Sequence, residues 1–155
     1  MRIMIGDRNA AVRAWLPVAL WMMLMFFGSS DLMSAEHTSR FITPLLRWLN
    51  SDISPAAIAR VHFFVRKTAH LIEYAILTGL IFRALRDSVP AIWARALIAL
   101  LSVAIFAGAD EFHQALVSSR TSSLGDVFLD STGAIIGIII CWVTDLLLVR
   151  RRPPS

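Results

Sequence analysis

The chain has 155 residues, a length that allows one domain. It is 57% hydrophobic and only 17% charged, with a mean hydropathy of +0.66; a soluble domain carries about 25% charged residues, so a water-soluble bundle is set aside. The net charge of +4 does not point to nucleic acid, because the arginines gather at the ends of apolar runs, where they orient a membrane protein and meet anionic headgroups.

Four runs almost lack charge: Ala14 to Gly28, Thr68 to Phe82, Ala96 to Ala109 and Ser131 to Thr144. With their flanks each approaches the roughly 20 residues needed to cross a bilayer core. None shows the polar stripe of a water-facing helix. The fold expected is all-α, a four-helix transmembrane bundle formed by residues 1–155 as one membrane domain, with spans at about 14–30, 67–85, 92–110 and 127–149.

The first span follows Arg2, Arg8 and Arg13, and Pro17 falls in its first turn. A cleavable signal peptide is the rival assignment, but Phe26 and Phe27 sit badly beside the small residues Gly28-Ser29-Ser30. The connection from Asp31 to Arg66 is the longest. Within it Phe41, Leu45, Trp48 and Leu49 share one helical face, flanked by Arg40, Thr43, Arg47 and Asn50. This is the pattern of an amphipathic helix lying in the membrane interface, with Trp48 at headgroup depth.

Ser54-Pro55 then reads as N-cap and first helical position of a helix running to Leu85. The next helix starts near Ile92, with Arg95 able to snorkel to the interface, and continues through Asp110-Glu111 to about Leu116. Ser118 to Gly125 is a loop, and the last helix runs from near Asp126 to Arg150. Cys141 stands alone and forms no intrachain disulfide.

Basic residues set the expected orientation. With both termini inside, the inner side holds nine of fifteen, in groups of three at Arg2–Arg13, Arg83–Arg95 and Arg150–Arg152. The short outer connection between the last two spans holds only Arg120. The polar residues of the spans then fall on the outer side.

Those residues form helical stripes. Lys67, His70, Tyr74 and Leu77 share one, with Glu73 beside His70; Glu111 and Asp110 each pair with Gln114; and Asp126, Asp130, Gly133 and Gly137 share a third. The two glycines permit close helix approach. Ionisable groups within spans are costly and mark function by default. His113 points away from Glu111 and Gln114, and His37 and His62 are expected to meet solvent or headgroups. Asp145 is expected to be an edge residue near Arg150.

The run Lys67-Thr68-Ala69-His70-Leu71-Ile72-Glu73-Tyr74, then Asp110-Glu111-Phe112-His113-Gln114, then Arg120, Asp126, Asp130, Gly133 and Gly137 resembles the VanZ-like family of bacterial membrane proteins. Ser30, Ser34 and Arg40 also fall in similar places. Departures are Ser118-Ser119, where the family often has Pro-Gly, and Asp130, where it often has Asn. The resemblance implies a multi-pass protein of the bacterial cytoplasmic membrane with a role in the cell envelope. The family takes its name from a member linked to resistance to a lipid-bearing glycopeptide antibiotic.

Five carboxylates (Glu73, Asp110, Glu111, Asp126, Asp130) face two cations, Lys67 and Arg120. A partly dry site must protonate the surplus, admit water or take up a cation. Arg120 is expected to pair with Asp126 or Glu111, and Lys67 with a carboxylate on another helix. Three readings stay open. One is a purely structural charge network between helices. The second is an outward-facing site of Lys67, His70, Tyr74, Asp110, Glu111, Gln114, Arg120, Asp126 and Asp130, binding a lipid-linked envelope component or a lipophilic glycopeptide. The third is a hydrolase or transferase acting on a lipid-linked phosphate or sugar, with His70, Glu73 and Glu111 as catalytic candidates. In it His70, Glu111 and Asp126 would hold a divalent cation.

Overall fold

The computed structural model describes residues 2–28, 35–115 and 124–150; within these, the side chains of 2–7, 35–38, 111, 113–115, 124, 126–127 and 148–150 fall outside the description. The described residues form five helices and no strand: α1 (Arg2–Gly28), α2 (Ala35–Leu49), α3 (Pro55–Ala84), α4 (Ile92–Ala115) and α5 (Leu124–Arg150). Three contain segments long and apolar enough to cross a membrane: Arg8–Gly28, Ile92–Asp110 and Phe128–Leu147. α3 is not among these candidates. It is longer than the others but carries Arg60, Arg66, Lys67, His70, Glu73 and Arg83 along its length.

α3 is the hub. It packs against α5 most extensively and also against α1, α4 and α2, while α4 in turn packs on α5. Tyr74, Leu77, Ile81 and Phe82 of α3 meet Ala99, Val103 and Ala107 of α4, Ala134 of α5, and Val18 and Met25 of α1 in one apolar core. Of its charged positions, Arg60 and Arg83 are exposed, whereas Arg66, Lys67, His70 and Glu73 are half-buried.

The α3–α5 contact is unusually close. A Cβ on Gly133 would lie 2.4 Å from the Leu71 carbonyl oxygen, and one on Gly137 2.4 Å from that of Ala75. Gly79 faces Cys141 Sγ at 3.5 Å from its would-be Cβ. Leu71 to Gly133, Ala75 to Gly137 and Gly79 to Cys141 share one constant offset, so α3 and α5 run parallel without slipping. Hydroxyls in the apolar helices turn back on their own backbone: Thr78 donates to the Tyr74 carbonyl at 2.8 Å, and Thr144 to that of Ile140 at 2.7 Å.

Local signals at the α3 start are as expected. Ser54 caps the helix by accepting from the Ala57 N–H at 3.2 Å, and Pro55 occupies the first turn. Pro17 is a correction. The helix begins at Arg2, so Pro17 lies well inside α1, where its missing N–H removes an internal hydrogen bond. α2 matches its expected pattern. Phe41, Leu45, Trp48 and Leu49 are exposed, and the helix docks on α3 through its other side, where Thr43 Oγ1 and His62 Nε2 are 3.2 Å apart. His62, half-exposed, is thus also a partner for α2.

Candidate functional site

The core stripe of each central helix ends in an ionisable group at the same end of the bundle. On α3, Ile81, Leu77 and Tyr74 lead to His70; on α4, Ala99, Val103 and Ala107 lead to Asp110; on α5, Cys141, Gly137 and Ala134 lead to Asp130. The spacings are helical, so the side chains that fill the core dictate that these three groups converge. α2 packs at this end. Its contact on His62 lies two turns before His70, about 12 Å along α3.

Asp130 is 1% exposed and His70 15%; His70 Nδ1 stands 3.5 Å from Asp130 Oδ1. Asp110 is buried and Tyr74 fully so. The carboxylates close enough to act electrostatically on His70 are Asp130, Glu73 and Asp110, drawn from all three helices. The His70 ring stacks near Tyr74, with centroids 6.4 Å apart, and Tyr74 in turn meets Phe106 of α4. Trp21 of α1 donates its indole N–H to the Glu73 carbonyl at 3.0 Å, anchoring the first helix to this level. Lys67 lies with its ammonium over the Phe63 ring, 5.4 Å from the centroid.

His70, Tyr74, Asp110 and Asp130 are therefore brought together, with Glu73 beside them. Glu111, Gln114 and Asp126 lie on described helices, but their side chains are outside the described residues. Arg120 lies wholly outside them, as do Ser30 and Ser34. Among the described residues no three His, Cys, Asp or Glu side chains are grouped to hold a metal ion. The set His70, Glu111 and Asp126 includes two side chains beyond that description.

A second ionic cluster lies at the opposite end. Arg86, after α3, pairs with Asp145 of α5, and Arg95 of α4 brings Nη1 to 3.6 Å from the same carboxylate. Arg95 is buried and its guanidinium lies 4.8 Å from the Phe82 ring centroid. Both sequence expectations here are corrected. Arg95 turns into the bundle and does not snorkel outward, because an aromatic face and a carboxylate await it there. Asp145 joins α3 and α4 to α5 and is not a simple edge residue. The signal was present: one ionisable group near the same end of three apolar helices.

A family model, VanZ/LLP1, matches residues 14–148. The chain belongs to the VanZ/LLP1 family. The match spans all five helices, so the family covers both ionic clusters and α2. With its three long apolar helices, this VanZ/LLP1 chain is a membrane protein. No curated protein and no solved structure matches it.

Proposed function

We propose that this protein is a four-span protein of the bacterial cytoplasmic membrane with both termini inside. α3 is the fourth span and α2 lies in the outer interface. The two ionic clusters support this placement: His70 lies about 21 Å along α3 from its end at Ala84, just before Arg86, not far from the roughly 30 Å of a hydrocarbon core. Each cluster then sits near one face of the bilayer. The exposed Phe41, Leu45, Trp48 and Leu49 of α2 suit headgroup depth. The whole chain acts as one membrane domain.

The outer cluster is a binding site for a lipid-linked envelope component, or for a lipophilic glycopeptide of similar chemistry, and contributes to envelope-stress or antibiotic resistance. One observation carries this reading. Three core stripes each end in an ionisable group, converging at the end where α2 packs. Apolar residues there would build a better-packed bundle. Carboxylates suit hydroxyl or amino donors of a headgroup, with the lipid chain lying along the exposed apolar helix faces.

The test is Asp110→Asn, which keeps size and removes charge. It is expected to insert, to unfold at the parent's temperature, to lose the lipid-linked sugar that the parent retains through purification, and to fail to protect a deletion strain under envelope stress. Full protection together with unchanged lipid content refutes the site. Loss of function accompanied by equal loss of stability assigns the cluster to structure alone.

A further inference from the structure

Asp130 belongs to the stripe that sequence reasoning assigns to the ligand, yet it is 1% exposed. Gly133, one turn on, is pressed against the Leu71 backbone. A ligand arriving from the α2 end meets the partly open His70 ring first. Both Asp130 oxygens and His70 Nδ1 are sealed from solvent, and among the described residues none of the three has a hydrogen-bond partner of regular geometry. They face each other at 3.5 Å instead. A carboxylate opposite a ring nitrogen favours a proton on that nitrogen, because two lone pairs would otherwise oppose each other.

We infer that Asp130 is a positioning residue: it holds the neutral His70 ring as the Nδ1–H tautomer and leaves the Nε2 lone pair, on the less buried edge of the ring, as a hydrogen-bond acceptor for a hydroxyl or amino group of the ligand. The inference rests on the proposed ligand site and narrows its chemistry. A neutral His70 held this way can accept from a sugar hydroxyl. It cannot donate to a phosphate oxygen through Nε2. In that neutral form the ring leaves the phosphate of a lipid-linked sugar to another group. Glu73 and Asp110 are the other carboxylates acting on the ring, so Asp130 is distinguished by facing Nδ1 directly.

The experiment is nitrogen NMR of the full chain in lipid nanodiscs with labelled histidine, at a pH where the ring is neutral. His70 is assigned with His70→Gln. Should that variant fail to fold, a chain with His37, His62 and His113 replaced by Gln leaves His70 as the single histidine. The expected result is an Nδ1–H form favoured at least about tenfold over the Nε2–H form, the bias of one charge-assisted hydrogen bond, falling toward an even mixture in Asp130→Asn. Adding a polyisoprenyl-linked sugar should shift the Nε2 resonance in the parent, while polyisoprenyl phosphate should leave it in place.

A dominant Nε2–H form in the parent overturns the inference, whatever the lipid result. So does a tautomer ratio unchanged in folded Asp130→Asn. A phosphate-induced Nε2 shift overturns the narrowed ligand chemistry. If the tautomer bias is present and depends on Asp130, yet the sugar lipid does not bind, the positioning role stands and the proposed ligand site fails.

Discussion

Replacing Gly133 by Ala should strike the fold at its tightest point. The new Cβ would sit 2.4 Å from the Leu71 carbonyl oxygen, whereas ordinary contact begins near 3.4 Å, so α5 must back away from α3 by about 1 Å. The obstacle is helix backbone and cannot rotate aside. Overpacking costs typically 1–3 kcal/mol, and the upper end applies here. The gain in helix propensity returns at most about 1 kcal/mol. A net loss of about 2 kcal/mol is expected.

Gly137→Ala should behave alike, since its Cβ meets the Ala75 oxygen at the same 2.4 Å. The double variant should cost clearly less than the sum, because one separation relieves both clashes. Gly108 has nothing within 4 Å, so Gly108→Ala should be neutral or stabilising by up to about 1 kcal/mol. Reversible unfolding in bicelles reads all four. If Gly133→Ala is tolerated as well as Gly108→Ala, the parallel α3–α5 contact is wrong. The same displacement should stretch the His70–Asp130 pair beyond its 3.5 Å and weaken ligand retention.

At the other cluster, Asp145→Ala leaves the buried Arg95 without its carboxylate and should cost about 3 kcal/mol. Arg86→Ala, on a side chain more than half exposed, should cost under about 1 kcal/mol; equal losses for both would deny the cluster its buried character. A cysteine at Ser51 should react with an impermeant thiol reagent from outside and one at Ser88 should not; the reverse pattern would put the His70 site on the cytoplasmic side.

The helices were legible because their signals are local. Ser54-Pro55 fixes the start of α3, and the apolar runs fix α1, α4 and α5 to within a turn or so, apart from the long N-terminal extension of α1. The stripe His70, Tyr74, Leu77 was readable from spacing alone. Partners across helices were not. His70 meets Asp130 and Asp145 meets Arg86 only once the α3–α5 register is known, and periodicity says nothing of how far one helix slides along another. Arg95 shows the same limit. Its place near a helix end suggests an outward side chain, and only the neighbouring Phe82 and Asp145 turn it inward. The low hydropathy of α3 has a related cause, since His62 and His70 find their partners on helices distant in sequence.

The constant α3–α5 offset also fixes an order of events at the ribosome. α3 leaves the exit tunnel roughly 60 residues before the matching turns of α5, and at about 5–20 residues per second that is on the order of 3–12 seconds. During that interval His70 lacks Asp130, and Arg86 and Arg95 lack Asp145. On the four-span reading, a newly made α3 meets the membrane before the partners of its ionisable residues exist. The ionic partners of His70, Arg86 and Arg95 all come from the last helix to be made.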